Sequence, residues 1–254
     1  KKIKCIHVTG TNGKGSVVSF LKNIFLEHGF SVGTFTSPYI TRFNERICFN
    51  GIQIDDDDVL KYANIILSKY PYFIEATERT PSFFEFITLL CFLYFEKIKP
   101  DICIIEVGIG GILDSTNVIS PISSVITNVS YDHMNVLGNT LEEILENKLG
   151  IVKENKPLIV ELKNLELIEL VKKHIKKTNS DLYTPLLEAY EIKKCDILSN
   201  EFILEGFGKI KIKLLGIHQI ENAIIAIKTF IVSMNQIGFE NVINFEKIKE
   251  GLYN

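Results

Sequence analysis

The sequence predicts an α/β fold in which a mainly parallel sheet carries a phosphate-binding loop, is flanked by helices and has a small antiparallel edge. Three observations lead to this prediction. Apolar runs alternate with helical patterns along the chain, as they do in parallel sheets. The first apolar run ends in a glycine-rich turn that leads straight into a helical pattern. Short alternating segments between residues 189 and 214 indicate two or three late antiparallel strands.

The predicted strands are short apolar runs bounded by glycine, proline or polar residues. They cover residues 3–9, 31–36, 101–107, 122–127 and 157–160. The predicted helices show apolar periodicity and cover residues 16–28, 81–96, 140–149, 165–177 and 216–234. A hairpin is also predicted over residues 47–52, because Asn50-Gly51 is a strong turn signal.

Several helix ends carry capping signals. The acidic run 55–58 is interpreted as the start of a helix, in preference to a cation site, because carboxylates cap free N–H groups and favour the positive end of the dipole. Thr140 and Glu143 have the spacing of a capping box, and Gly150 follows that helix as a stop signal. The helix at 81–96 is apolar on nearly every face, which predicts burial against the sheet.

The composition argues against several classes of partner. The 254 residues are 46% hydrophobic and carry a formal net charge of −3, which gives no basic surface for nucleic acid or an anionic membrane. No apolar stretch approaches the roughly 20 residues of a membrane span. Five cysteines lack zinc-site spacing, and Cys5, Cys91 and Cys103 lie in apolar runs. We therefore expect a cytoplasmic monomer with reduced cysteines and small-molecule partners.

The turn at residues 10–16 predicts a site for a nucleoside triphosphate. It consists of Gly10, Thr11, Asn12, Gly13, Lys14, Gly15 and Ser16. Glycines let backbone N–H groups approach phosphate oxygens, the following helix adds its positive dipole end, and the lysine adds a charge. The standard pattern is not met, because Val8 stands at its first glycine and Gly15 follows the lysine. The alternative is a turn without a ligand, which would leave a lysine between two glycines without a packing role.

Polar residues also follow three later strands, namely Ser37, Glu106 and His133. Because the carboxyl ends of parallel strands share one edge of a sheet, we expect these residues to converge on the phosphate loop. Hydroxyl, carboxylate and phosphate oxygens suit Mg²⁺. An isolated histidine is often structural, but His133 lies between Asp132 and Asn135 in a loop after a strand, which favours a ligand role.

Five ordered motifs resemble folylpolyglutamate synthase and dihydrofolate synthase, the folate branch of the Mur ligases. The motifs cover residues 10–16, 36–46, 106–117, 132–133 and 218–223. The resemblance implies an ATP-dependent ligase that joins L-glutamate to a carboxylate of folate or dihydropteroate. The carboxylate would take the γ-phosphoryl group of ATP to form an acyl phosphate, which the amino group of glutamate would then attack.

The resemblance also implies two metal sites. Ser37 and Glu106 would bind one Mg²⁺, and His133 would help to bind a second. Lys148 matches a lysine that the family carries in carbamylated form, as a carboxylate for the second metal. The alternative for Lys148 is a surface lysine at the favourable end of a helix dipole. Together with Lys14, which would hold the ATP phosphates, His133 and Lys148 are the implied catalytic residues.

Other matches concern the nucleotide and the substrate. Gln219 and Asn222 match the helix start that contacts the nucleotide in the family, with Asn222 on the adenine. Phe84 and Asp114 match positions near the pterin in members that accept dihydropteroate. Phe84 fits a core position equally well, because it lies in an apolar helix. Ile112 stands where many members have arginine.

The chain departs from the family in its extent. It has no tryptophan, whereas the family joins this domain through a tryptophan-containing linker to a C-terminal domain that helps to bind glutamate. We therefore expect residues 1–254 to form an ATP-binding domain of the Mur ligase central type, with the glutamate-binding domain absent, and to ligate poorly or not at all. The alternatives are an ATP·Mg-binding module without turnover and a cell-wall Mur ligase. A small-molecule kinase is disfavoured, since the sequence has no arginine-rich lid.

Overall fold

The computed structural model describes residues 3–162, 164–185 and 190–254. Its main sheet contains eight strands. They are β1 (Lys4–Thr9), β2 (Val32–Phe35), β3 (Ile47–Phe49), β4 (Ile52–Gln53), β5 (Ile102–Glu106), β6 (Ser123–Ile126), β7 (Leu158–Val160) and β8 (Leu182–Tyr183). Their spatial order is β4-β3-β2-β5-β1-β6-β7-β8, and all pairs are parallel except those of β3 with β2 and with β4.

The described residues form nine α-helices that cover the two faces of this sheet. They are α1 (Lys14–Glu27), α2 (Asp56–Leu67), α3 (Tyr70–Thr77), α4 (Phe83–Ile98), α5 (Met134–Leu137), α6 (Leu141–Leu149), α7 (Leu165–Thr178), α8 (Ile217–Gln236) and α9 (Phe245–Tyr253). Ile6 and Val8 of β1 join one core cluster with α1, α8 and α9. Cys5 of the same strand joins a second cluster with α2 and α4. Alternate residues of β1 therefore pack against different helical layers.

A second sheet contains the three antiparallel strands β9 (Tyr190–Cys195), β10 (Asn200–Leu204) and β11 (Gly208–Ile212), in the order β11-β10-β9. Phe202 and Ile212 belong to the core cluster of α1 and α8, so this sheet packs on that helical layer. The predicted late strands are present, although residue 189, where the prediction begins, lies outside the described residues.

The predicted α/β fold with a mainly parallel sheet is confirmed, and its antiparallel edge has a different origin. The late strands form their own sheet, and the early hairpin of β3 and β4 forms the edge of the main sheet. The turn of that hairpin lies at Asn50 and Gly51, which have positive φ angles of 51° and 80°. The Asn-Gly signal therefore located the turn correctly.

Two helices differ from their predicted form. α1 begins at Lys14, two residues earlier than predicted, because Gly13 takes a left-handed conformation and serves as its N-cap. α4 is buried on one face only, since Phe83 is 63% and Leu89 46% exposed. The predicted burial against the sheet is confirmed for the face that carries Ile87, Leu90 and Cys91, while the opposite side of the helix stays exposed.

Four elements were missed, namely α3, α5, α9 and β8. α5 has four residues and β8 has two, so neither is long enough to show a period. α9 depends on a distant part of the chain: a Cβ added at Gly251 would overlap the backbone of Asn23 and Ile24 in α1. The close packing of α9 on α1 therefore supports a helix that the local sequence pattern did not predict.

The capping predictions are confirmed. Asp55 Oδ1 accepts a hydrogen bond of 2.7 Å from the N–H of Asp58, so the acidic run starts α2. At the start of α6, the N–H of Glu143 donates to the Thr140 hydroxyl and the N–H of Thr140 donates to the Glu143 carboxylate, each at 3.2 Å. These local signals needed no tertiary information.

Two further predictions concern the chain as a whole, namely those about membrane segments and cysteines. Among the helices that the structure describes, none is both long and apolar enough to cross a bilayer. Cys5, Cys91 and Cys103 are buried free cysteines between the sheet and α4, as predicted.

Candidate active site

The predicted phosphate loop joins β1 to α1 at the carboxyl end of a central strand. Gly10 has a φ of 150° and Gly13 a φ of 80°, both of which favour glycine. Gly13 is the N-cap of α1 and offers no side-chain hydrogen bond to the helix. N–H groups of the first turn can therefore bind an anion at the positive end of the helix dipole.

Residues 127–130, which follow β6, form a latch that holds this loop. The N–H of Thr11 donates to the Asn128 carbonyl at 3.2 Å, and the N–H of Asn12 donates to Asn128 Oδ1 at 2.9 Å. Asn128 Nδ2 and the Thr127 hydroxyl both donate to the Asn12 carbonyl. The Thr11 hydroxyl also exchanges hydrogen bonds of 3.1 Å with the backbone of Ser130. The loop is thus shaped by hydrogen bonds before any ligand binds.

Lys14 and the start of α8 lie against the same loop. Lys14 Nζ donates to the carbonyls of Gly10 at 3.0 Å and Thr11 at 3.2 Å. Asn222 packs against Gly13 so closely that an added Cβ on the glycine would overlap its side chain. Asn222 Nδ2 in turn donates to Gln219 Oε1 at 3.0 Å. The residues predicted to contact the nucleotide, in the loop and on α8, therefore lie together.

Ser37 and Glu106 meet beside the first turn of α1. The N–H of Ser37 donates to Glu106 Oε2 at 3.3 Å, and a Cβ added at Gly15 would lie 4.0 Å from the same oxygen. Glu106 is only 3% exposed. Burial raises the pKa of Glu106 to about 7, although the Lys14 ammonium, the Ser37 N–H and Arg46 oppose the shift. The expected convergence of these strand ends on the phosphate loop is present in the geometry.

A magnesium ion fits this corner by its chemistry. The Ser37 hydroxyl and the Glu106 carboxylate are oxygen donors next to a phosphate loop. The pKa of Glu106 is raised because burial disfavours the charged carboxylate more than the nearby cations favour it. A bound divalent ion would favour the charged form and lower this pKa. The described residues include no group of three or more His, Cys, Asp or Glu that could hold a metal by themselves. Phosphate and water oxygens would therefore complete the coordination shell.

His133 and Lys148 lie on the neighbouring part of this rim. His133 precedes α5 with a φ of 45°, and its Nε2 is 3.7 Å from Asp132 Oδ1. Lys148 lies in the last turn of α6 and is 2% exposed, so the alternative of a surface lysine is wrong. Burial lowers the pKa of Lys148 to about 8, with a further decrease from Lys14 and an opposing effect of Asp132. The charges that act on the Lys148 pKa are thus those of the phosphate loop, through Lys14, and of the His133 loop, through Asp132.

A cleft of about 640 Å³, which we call the main cleft, opens beside this corner. Its lining includes four predicted site residues, namely Ser37, Phe84, Asp114 and His133. A second cavity of about 370 Å³ is lined by Gly15 and Glu106 and also by Ser37. Ser37 therefore lies between the main cleft and the helix of the phosphate loop.

Phe84 and Asp114 contribute to the cleft wall in different ways. Phe84 lies 5.9 Å from Phe35 between ring centroids and packs against the core, and it also lines the cleft. The core interpretation is therefore confirmed, and contact of Phe84 with a substrate stays a prediction. Asp114 Oδ2 accepts hydrogen bonds of 3.0 Å from the N–H groups of Gly108 and Ile109. Asp114 therefore anchors the glycine-rich loop after β5, and its contact with a substrate stays a prediction.

His7 supports this anchor from inside the sheet. Its Nε2 lies 2.8 Å from the Thr116 hydroxyl, which donates to Asp114 Oδ1. An ionised carboxylate can only accept hydrogen bonds, so the Thr116 hydroxyl uses its proton to donate to Asp114. The hydroxyl oxygen then accepts from His7, whose ring proton therefore lies on Nε2. Burial lowers the pKa of His7 to about 3, so this histidine is neutral. A buried series of hydrogen bonds therefore connects His7 in β1 with the loop after β5.

Sequence reasoning missed the 127–130 latch, the role of His7 and the burial of Arg46. Asn128 lies two residues after the end of β6, and that position was the signal for a role at the rim. Arg46 lies in the 36–46 motif, so its neighbourhood was visible in the sequence. Its burial in the main cleft was not, because burial depends on residues that are far away in the chain.

Comparison with known proteins identifies the family. Residues 8–230 match the Mur ligase middle domain. The chain is 38% identical over 270 residues to the dihydrofolate synthase/folylpolyglutamate synthase of Bacillus subtilis, a match that covers 99% of this chain and 60% of that protein. The sequence resemblance to the folate branch is therefore confirmed.

Solved structures agree with this match. A solved complex of FPGS with AMPPCP and folate matches this chain with a TM-score of 0.89 at 31% identity. The match covers 100% of this chain and 63% of the FPGS chain. The folylpolyglutamate synthase of Thermotoga maritima has a TM-score of 0.86 at 33% identity, with 99% and 58% covered. This chain thus spans about three-fifths of the length of these relatives. From its sequence match and its fold, the chain belongs to the Mur ligase family and contains the middle domain of that family.

Proposed function

We propose that the protein is an ATP-dependent ligase that adds L-glutamate to a carboxylate of folate or dihydropteroate. The observation that carries the proposal is the position of Ser37, which lies between the phosphate-loop helix and the main cleft and donates its N–H to Glu106. A triphosphate on the loop and a carboxylate in the cleft would meet at this residue. The relative bound to AMPPCP and folate supports the same pair of ligands.

The residues of the chain would bind and orient the reactants. N–H groups at the start of α1 and the Lys14 ammonium would bind phosphate oxygens, with Lys14 leaving the carbonyls of Gly10 and Thr11. Ser37 and Glu106 would hold Mg²⁺, which neutralises phosphate charge when it is bound. Gln219 and Asn222 would contact the nucleotide. The aromatic side of the main cleft at Phe84 would hold the ring system of the second substrate.

The reaction consists of two substitutions. A carboxylate oxygen attacks the γ-phosphorus of ATP, the bond to the bridging oxygen breaks, and ADP leaves behind an acyl phosphate. The neutral amino group of L-glutamate then attacks the acyl carbon, the amide bond forms, and inorganic phosphate leaves while the amine loses a proton. Neither step requires covalent participation of the chain, so its contribution is positioning and compensation of charge.

Lys148 suits carbamylation by its surroundings. A pKa of about 8 gives this lysine a larger neutral fraction near pH 7 than an ordinary lysine has, and the neutral amine is the form that attacks CO₂. The carbamate would remove a buried positive charge near Lys14 and supply an anionic ligand, with His133, for a second Mg²⁺.

Carbamylation is tested with ¹³C-labelled bicarbonate. A carbamate signal in the ¹³C NMR spectrum is expected for the unchanged chain and for K153Q, and it should be missing in K148Q. Lys153 is a matched control because burial also lowers its pKa. A spectrum without a carbamate signal in the unchanged chain would contradict the proposal.

The ligase proposal is tested by ADP release with dihydropteroate or a reduced folate and L-glutamate, and binding of AMPPCP is measured in parallel. We expect at most slow glutamate-dependent release from residues 1–254, in keeping with the poor ligation predicted above. Any such release should fall by about 100-fold or more in K14Q, since one charged contact to the transferred group is lost. K172Q changes an exposed lysine of α7 and should behave as the unchanged chain. Binding of AMPPCP without turnover would indicate a nucleotide-binding module, and turnover with only a nucleotide-linked muramoyl peptide would indicate a cell-wall ligase.

A further inference from the structure

The three arginines of the chain differ in how their charge is compensated. Arg42 and Arg79 are exposed and lie within ion-pair distance of Asp56 and Glu85. Arg46 is only 8% exposed, and its Nε has no hydrogen-bond partner. Within the ranges that the structure describes, no carboxylate forms an ion pair with it. Because a guanidinium keeps its charge at physiological pH, the fold buries an unpaired cation.

Two aromatic side chains hold this guanidinium. Its central carbon lies 5.0 Å from the ring centroid of Tyr39 and 6.0 Å from that of Phe83. Contacts with ring faces orient a guanidinium and leave the N–H groups in its plane free to donate. Burial lowers the pKa of Arg46, whereas Tyr39 and Glu106 favour its charged form. The guanidinium is therefore charged and lies against two rings, and its buried Nε–H lacks an acceptor.

The location of Arg46 indicates the acceptor. Arg46 lines the main cleft together with Ser37, which also lines the second cavity beside the phosphate-loop helix. The carboxylates in the same lining are already engaged: Glu85 pairs with Arg79, and Asp114 accepts N–H groups of its own loop. Glu106 also interacts with Arg46 electrostatically, but it lines the second cavity, accepts the Ser37 N–H and forms no ion pair with Arg46 in the described part of the chain. An anionic ligand in the cleft would supply the acceptor that Arg46 Nε lacks.

We infer that Arg46 binds the carboxylate of the ring-bearing substrate, the group that receives the phosphoryl group in the proposed reaction. The identity of this carboxylate rests on the proposed function, whereas the anion site itself rests on the buried, unpaired guanidinium. A carboxylate accepts two parallel N–H bonds from a guanidinium. This arrangement would hold the carboxylate beside Ser37 with one oxygen directed at the incoming phosphorus. Arg46 thus selects substrates that end in a carboxylate.

The test compares two ligands that differ only in charge. The dissociation constants of dihydropteroate and of its carboxamide are measured for the unchanged chain and for R46Q. The unchanged chain should bind the carboxylate at least about tenfold more tightly than the amide, because hydrogen bonds to charged groups are worth more than neutral ones. R46Q should bind the two ligands within about twofold of each other, since it keeps a polar side chain without the charge.

R42Q is the matched control. Arg42 lies four residues away in the same segment but is exposed and paired with Asp56, so R42Q should keep the preference for the carboxylate. If R46Q weakens the binding of both ligands equally, Arg46 only packs the cleft wall and the inference is wrong. A lack of preference in the unchanged chain would also overturn it.

A second measurement uses the unchanged chain and does not depend on a variant that folds. The Nε–H signal of Arg46 is followed by ¹H–¹⁵N NMR during titration with 4-aminobenzoate and with 4-aminobenzamide. A shift with the benzoate alone supports the anion site, even if neither pterin ligand binds and the proposed substrate is therefore wrong. Equal shifts with both ligands, or no shift with either, would overturn the inference.

Discussion

The phosphate loop and the main cleft lie on either side of Ser37, and they differ in how completely their polar groups are paired. In the loop, backbone groups of Thr11 and Asn12 are bonded to the 127–130 latch, and even the Lys14 ammonium has two carbonyl partners. In the cleft, the Arg46 guanidinium is buried without an ion-pair partner in the described chain. The Glu106 carboxyl between the two regions has a raised pKa.

This difference indicates that the loop contributes mainly to the stability of the fold and the cleft mainly to the binding of a ligand. A loop with paired groups keeps the shape that a ligand needs, so little ordering cost remains when the ligand binds. A buried charge without a partner lowers stability and raises the gain from a ligand of opposite charge. We therefore expect changes in the loop to affect folding strongly, and changes at the cleft wall to affect mainly ligand binding.

The largest expected effect is that of G10A in the loop. Gly10 has a positive φ, and an added Cβ would overlap the Thr127 hydroxyl, so the free energy of unfolding should fall by about 2–4 kcal/mol. The matched variant G15A has only Glu106 Oε2 at 4.0 Å from the added Cβ and lies in a helical turn, so it should gain up to about 1 kcal/mol. Urea unfolding, followed by circular dichroism, measures the stability of both variants. Equal stabilities would contradict the expectation that changes in the loop affect folding strongly.

N128A should have the next largest effect, because it removes two side-chain hydrogen bonds to Asn12. The expected loss is about 2 kcal/mol of unfolding free energy, together with weaker binding of AMPPCP·Mg, since the loop would lose its shape. N135A, which changes an exposed residue of α5, should stay within about 0.5 kcal/mol of the unchanged chain. Nucleotide affinity that is unchanged in N128A would show that the latch does not preorganise the loop.

The pKa of Glu106 predicts a pH dependence of metal binding. Its folded-state pKa of about 7 lies above the ordinary value of 4.5, so the free chain loses stability as the pH rises from about 4.5 through about 7. Mg²⁺ requires the ionised carboxylate, so the affinity for AMPPCP·Mg should rise about tenfold between roughly pH 6 and pH 8. Calorimetric titrations over this range should give a flat profile for E106Q. The same slope in E106Q would assign the titration to another group.

The smallest expected effect on stability is that of R46M. Methionine keeps much of the side-chain length and removes a buried unpaired charge, while the contacts with Tyr39 and Phe83 are weakened. The free energy of unfolding should therefore change by less than about 1 kcal/mol in either direction. Urea unfolding is the measurement. A loss comparable to that of G10A would mean that Arg46 is a structural residue, and the contrast between loop and cleft would fail.

The parts of the fold that the sequence predicted are those with a local physical cause. The turn at Asn50-Gly51, the cap at Asp55 and the strand-turn-helix of the phosphate loop depend on the φ angles and hydrogen bonds of adjacent residues. The origin of the antiparallel edge and the presence of α9 were not predicted, since they depend on which distant segments pair. The burial of α4 against the sheet was predicted, but its apolar pattern did not indicate which side stays exposed, for the same reason.

The site divides in the same way. Convergence of Ser37 and Glu106 on the phosphate loop followed from the rule that parallel strands end at one edge. Burial of Lys148 could not be inferred, because its position at a helix end equally suited a surface lysine. The 127–130 latch required knowledge that β6 lies next to β1.

By itself, the sequence determined the phosphate loop, the capped helices and the order of strands whose ends carry polar residues. These features are set by backbone conformations and hydrogen bonds that span a few residues, so the chain encodes them locally. The tertiary structure alone decided which charges are buried, as for Glu106, Lys148 and Arg46. Burial and the resulting pKa shifts arise from packing between segments that are distant in the chain, and no local pattern contains that information.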